Sequence, residues 1–192
     1  MSEKEMEASN NNKITFRNEI VEAQKALAEE EWERFVDIFR SHDTKDLLFK
    51  PLDLAKNTAI HVTARSRNKQ CLKELLQMLE RTEQLKALRK PNYEGNTPLH
   101  EAVYFDDDPK MVDLIMGFVP SPSDKKELLE MKNNQNETVA FRAARYGRLG
   151  VIKYLHGMLQ PEGLQSSRHF QPNKYRGRER PILHTCVLHF SF

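Results

Sequence analysis

Three histidines in this 192-residue chain share a context, and histidine is the side chain best suited to metal or acid–base chemistry. His61 lies in "KNTAIHVTARS", His100 in "GNTPLHEAVYF" and His184 in "RPILHTCVLHF". A shared metal would require them to converge, because metal–nitrogen bonds are about 2 Å long. Phe141 holds the same place in "NETVAFRAARYG", so the pattern survives without an imidazole and a structural role is the better reading. No metal is expected. His156 and His169 have no partner suggested by spacing. Cys71 and Cys186 make neither a metal-ligand pattern nor a disulfide framework, and read as buried free thiols in a reducing compartment. Asp106-Asp107-Asp108 resembles a cation loop only superficially; EF-hand spacing is absent, and a solvated, self-repelling bend is the simpler expectation. There is no G-x-S-x-G, H-E-x-x-H, Walker or G-x-G-x-x-G motif. The expectation is a protein with no catalytic residues, no cofactor and no small-molecule substrate.

One stretch could hold polyanions. "SSRHFQPNKYRGRER", Ser166–Arg180, has five basic residues against one acid and is interleaved with Phe170 and Tyr175. It reads first as a solvated loop. The alternative is a charge-driven adaptor, in which the basic C-terminal third makes weak, salt-dependent contact with anionic lipid or nucleic acid. Charge is unevenly spread: residues 1–40 hold ten acidic and six basic side chains, and residues 141–192 hold nine basic and two acidic.

The elements that position these residues repeat. Thr58, Thr97 and Thr138 are 39 and 41 residues apart, and Pro181 follows 43 residues further on. After each start comes a second apolar pattern of helical period: "CLKELLQML", "MVDLIMGF" and "VIKYLHGML". A degenerate earlier copy runs from Ile20 to Phe39, with "WERFVDIF" as its second helix. Each unit is predicted to be a helix, a tight turn and a second helix. The threonine suits the N-cap, and Pro98 suits the first helical position, where its missing N–H costs nothing. Gly95 two residues earlier permits a sharp turn; Asn136 matches it, and Lys56 fits less comfortably. Between the helices Gly147 is replaced by Arg67 and Asp106. Small residues on the first helices (Ala64, Ala102, Val103, Ala143, Ala144) allow close approach of neighbours. Leu75, Leu76, Leu114, Ile115, Ile152 and Leu155 are expected to fill the layer between units. One unit cannot bury its own apolar face, but a stack can.

"GNTPLHEAV" followed by an apolar second helix resembles the ankyrin repeat. The resemblance covers about Asn57–Leu159 and implies an all-α solenoid of stacked helix-turn-helix units. It also implies that His61, His100 and His184, with Thr58, Gly95, Thr97, Pro98, Leu99, Thr138, Ala143, Ala144 and Gly147, are structural motif positions at which the histidine orders the turn. The period exceeds the usual ~33 residues, and the excess lies in "ERTEQLKALRKPNYE" and "VPSPSDKKELLEMKNNQN". Long charged segments of this kind, with "ALAEEEWERFVDIF" and "RPILHTCVL", are similar to a plant ankyrin family that carries a C-terminal PGG-type membrane domain. That likeness implies a setting in stress or defence signalling. The chain stops at "HFSF", where the family would continue, which suggests a truncated product or fragment without the membrane part.

The resulting expectations are a disordered polar N-terminus over 1–18 and a repeat domain over 19–192. Its units lie at about 19–53, 54–92, 93–133 and 134–160, followed by a basic loop over 161–176 and a truncated, uncapped unit over 177–192. The function expected is binding of another protein through turn tips and the concave face. Tyr93, Glu94, Asn134 and Gln135 are the tip candidates. On the first helices the candidates are Glu101, Tyr104, Arg142 and Arg145, aligned with Val62 and Arg65. No signal peptide or membrane-length apolar run is present in the sequence, and a soluble, cytoplasmic protein is expected.

Overall fold

In the computed structural model, residues 17–40 and 42–159 are described, with the backbone alone at 42–44 and 159, together with the backbone of two short strands at 173–175 and 178–180. Helix α1 spans residues 17–28 and α2 Trp32–Arg40; a 3-10 helix follows at His42–Phe49. Then come α3 (Ala59–Arg65), α4 (Lys69–Gln77), α5 (Arg81–Arg89), α6 (Pro98–Ala102), α7 (Lys110–Gly117), α8 (Pro122–Glu130), α9 (Val139–Arg145) and α10 (Leu149–Leu159). The first helices stack in a row, α3 on α6 and α6 on α9, while α2, α4 and α7 pack in sequence behind them.

Each first helix starts as its threonine requires. Thr58, Thr97 and Thr138 all have extended backbone (φ −88°, −80° and −79°), and Pro98 occupies the first turn of α6. The turn before each threonine closes with a left-handed residue: φ is 59° at Lys56, 77° at Gly95 and 61° at Asn136. At Gly95 an added Cβ would stand 2.6 Å from Asn134 Oδ1 and 2.7 Å from Asn134 N, so this tip needs glycine for space as well as for φ. Between first and second helices the left-handed position recurs at Glu30 (57°), Arg67 (65°) and Gly147 (68°), whereas Asp106 does not adopt it.

The apolar seam runs through all units. Ile60, Leu99 and Val139 of the first helices, and Leu75, Leu76, Ile115 and Leu155 of the second, are fully buried. Leu114 and Ile152 are half-buried and pack against this core. Ala64, Ala102, Val103, Ala143 and Ala144 are buried where neighbouring helices meet.

Two features depart from a plain helix-turn-helix array. The long charged segments fold into third helices, α5 and α8, which pack on α6 and α9. Their cause is a pair of apolar residues in each: Ala87 and Leu88 are buried in α5, and Leu128 and Leu129 in α8. Leu47 and Leu48 of the 3-10 helix are buried likewise. Ser121 caps α8 by accepting from Asp124 N–H, with Pro122 following. Arg89 joins the two third helices, 2.9 Å from Asp124 and 2.5 Å from Glu127. The second departure is a two-stranded antiparallel pair, β1 (Asn173–Tyr175) with β2 (Arg178–Arg180), inside the basic segment read as a loop. It aligns Lys174 with Glu179 and Tyr175 with Arg178. The first helix begins at 17, within the segment expected to be disordered. The rest of that segment, the remainder of the basic loop, and the truncated unit apart from β2, with His184 and Cys186, lie outside the described residues.

Candidate partner-binding face

The recurring histidines sit between units, and each joins one to the next. His61 Nδ1 accepts from the N–H of Thr58 (3.3 Å) and lies 2.8 Å from the Thr58 hydroxyl. An accepting Nδ1 places the ring proton on Nε2, which donates to the carbonyl of Asn96 in the next unit at 3.0 Å. His100 repeats the arrangement with Thr97 and with the carbonyl of Glu137, at 3.1 Å. Both rings are completely buried, and burial pushes their pKa down from 6.5 to about 4. They are therefore neutral at pH 7. Thr138 accepts from Phe141 N–H, but Phe141 has nothing to return. His61 and His100 do not gather around an ion, and among the described residues no group of three His, Cys, Asp or Glu side chains could hold one. Burial likewise raises the Cys71 thiol, to about 12.

A second polar line runs beside the histidines, through residues the sequence reading passed over. Asp53, Asn92 and Asn133 occupy one register, and Asn57, Asn96 and Glu137 another. Within a unit, Asn92 Oδ1 accepts from the N–H groups of Glu94 and Asn96, and Asn133 Oδ1 from those of Gln135 and Glu137. Between units, Asn92 Nδ2 donates to Asn57 Oδ1 (2.8 Å) and Asn133 Nδ2 to Asn96 Oδ1 (2.9 Å). The backbone adds its own rungs, Tyr93 N–H to the Ala55 carbonyl and Asn134 N–H to the Glu94 carbonyl. The signal was available: an Asp or Asn five residues before each threonine.

On this base stands the exposed face of the first helices. The Arg65 guanidinium lies 4.6 Å from the Tyr104 ring centroid and 5.1 Å from that of Phe105. Arg142 lies 5.6 Å from Tyr104 and 5.4 Å from Tyr146. Tyr104 meets Tyr146 at 4.7 Å and Phe105 at 4.4 Å. Beneath them, Glu101 is shared by Arg65 (3.8 Å) and Arg142 (3.7 Å), and Glu137 by Arg142 (4.0 Å) and Arg145 (2.7 Å).

The candidate contact residues thus separate into two groups. Glu101 (3% exposed) and Arg142 (4% exposed) are buried and belong to the internal network rather than to an open surface. Glu101 Oε1 accepts from Asn96, and Arg142 donates to Asn96 Oδ1; the regular step from the histidine position turned both side chains inward against the asparagines. Tyr93 is 67% exposed and lies beneath Lys56. Glu94 and Asn134 are exposed at the tips, while Tyr104, Gln135 and Arg145 are half-buried. Phe105 (45% exposed) was missed as a surface residue.

The three aspartates have separate duties. Asp106 accepts from Asp108 N–H and faces Arg67; Asp108 accepts from Lys110 N–H and pairs with its ammonium group. Asp107 reaches the next unit, where its Oδ1 accepts from Gly150 N–H at 2.6 Å. The bend is a set of caps, not an unrelieved cluster of like charges.

Comparison with known proteins agrees with this geometry. Residues 35–124 match the family model for ankyrin repeats, in three copies. No curated protein matches the chain. Among solved structures, a chain from the crystal structure of the yeast ribosomal protein Rps3 in complex with its chaperone Yar1 is similar, with a TM-score of 0.54 and 18% identity. The match covers 73% of this chain and 89% of that one. The fold is an all-α ankyrin-repeat solenoid, an architecture that serves as a protein–protein interaction module, and no catalytic family is indicated. Among the described residues, no helix is long and apolar enough to cross a membrane.

Proposed function

We propose that this array of ankyrin repeats is a non-catalytic scaffold that holds another protein against the first-helix face and the adjoining turn tips. The observation that carries the reading is the pairing of a rigid base with large exposed side chains. Tyr93 and Phe105 stand 67% and 45% exposed on units joined by a buried line of hydrogen-bonded His and Asn side chains. Aromatic and Arg groups held rigidly lose little entropy on binding, which is why such residues dominate interface energetics. The structural neighbour, named as a chaperone complex, supports a client-holding role of the same general kind. Tyr104 and Arg145 contribute from the same face, Glu94, Asn134 and Gln135 from the tips. The motif "RPILHTCVL" supports a wider setting in plant stress or defence signalling, with the chain in the cytoplasm.

Affinity capture with the full chain tests this reading. A protein retained by wild type should be lost with Tyr93→Ala combined with Phe105→Ser, at unchanged circular dichroism. Retention by the double variant would overturn the assignment of this face.

A further inference from the structure

We infer that the first-helix face takes an extended acidic peptide, gripped through carboxylates by Arg65 and Arg145; the inference rests on the scaffold reading above. Among the described residues, the guanidinium groups of Arg65, Arg142 and Arg145 pair with the carboxylates of Glu101 and Glu137. Both carboxylates are 3% exposed, while the Arg65 side chain is 44% and the Arg145 side chain 38% exposed. The layer an incoming partner meets is therefore cationic and aromatic, with its acids sunk below.

Arg65 is poised for the task. Its guanidinium rests on Tyr104 and Phe105, which fixes its plane. Its one ionic neighbour among the described residues, Glu101, is 3.8 Å away, beyond hydrogen-bond length. Stacking leaves the in-plane N–H edge unused, and that edge matches a carboxylate in bidentate fashion. The Glu101 Oε2 that faces it has no hydrogen-bond donor, so this ionic tie on Arg65 is a loose one. Arg145 occupies the matching place on α9, two helices along, against Glu137 and Gln135.

The spacing sets the partner's shape. Packed helices lie 8–10 Å apart, so Arg65 and Arg145 arise roughly 16–20 Å from each other. An extended chain covers about 3.3 Å per residue, which separates the two carboxylates by about five or six residues. Phe105, beside Arg65 and 45% exposed, then offers an apolar contact. A polynucleotide fits less well. Its phosphates need a continuous basic track, whereas Arg142, the third guanidinium here, is buried. The Tyr104 ring is already engaged by Arg65, Arg142, Phe105 and Tyr146.

The test uses the full chain and fluorescence anisotropy. The probes are a labelled ten-residue peptide with two glutamates six positions apart around a central leucine, its double-glutamine counterpart, and a twelve-nucleotide oligothymidine. The glutamate peptide should bind at least about tenfold more tightly than the glutamine peptide. Arg65→Glu should erase that preference. Lys73→Glu, the same charge change on an exposed position of α4, should leave it intact. Equal binding of the two peptides, a preference that survives Arg65→Glu, or no binding of the glutamate peptide at millimolar concentration would each overturn the inference. Displacement of the peptide by lower concentrations of oligothymidine would assign the face to nucleic acid instead. None of these outcomes touches the capture experiment with Tyr93 and Phe105, which judges the scaffold reading separately.

Discussion

His61 Nε2 lies 3.0 Å from the carbonyl oxygen of Asn96, a residue 35 positions further along the chain. One imidazole thus completes the cap of its own helix and fastens the next unit, and His100 does the same toward Glu137.

Acid should loosen this fastening. Both imidazoles titrate at about 4 in the fold against 6.5 when exposed, so the unfolded chain takes up protons first as pH falls. Their contribution is complete above about pH 6.5, declines between 6.5 and 4, and levels off below that. Each ring accounts for at most roughly 3 kcal/mol over this window. Urea midpoints at pH 7, 5 and 4 should fall in that order. His100→Phe, a swap that the Phe141 unit already accommodates, should cost about 1–2 kcal/mol at pH 7 and roughly halve the pH dependence.

Gly95→Ala should be more harmful than its size suggests. The new methyl would stand 2.6 Å from Asn134 Oδ1 with φ at 77°. A loss of about 2 kcal/mol or more is expected from left-handed strain plus the collision, read as a lowered midpoint in thermal denaturation. An unchanged midpoint would show that the tip can open without cost.

Asn133→Leu should break the asparagine line. It removes the acceptor for Gln135 and Glu137 N–H and the donor to Asn96. The expected loss is about 2–4 kcal/mol. Asn133→Asp restores the acceptor but not the donor, and should recover only part of that loss in the same urea titration.

Asp107→Ala should act at a distance in sequence. Removing the acceptor of Gly150 N–H should cost about 1 kcal/mol, as loss of a helix cap does. Amide exchange should quicken at the start of α10 and remain unchanged in α7. Added calcium should not shift the melting temperature of the wild type, since each carboxylate has its own donor.

Much of this architecture could be read from the chain. The Thr58, Thr97 and Thr138 register marked the three helix starts, because a cap and a following apolar run are local signals. Lys56 and Asn136 could be aligned with Gly95 for the same reason. The third helices were hidden because α5 and α8 bury only two neighbouring apolar residues each, too few to impose a helical period on charged segments. The inward turn of Glu101 and Arg142 was hidden too. It depends on asparagines from two units lying side by side, and spacing along one helix carries no trace of such a meeting.

Glu30, Lys56 and Arg67 hold left-handed backbone with φ of 57°, 59° and 65°, which side chains of these kinds adopt at a cost of about 1–2 kcal/mol each. The protein therefore stands somewhat short of the ruggedness its own blueprint permits. That headroom lies at three letters other than Arg65 and Arg145, so a hardened version could be made that grips the same things.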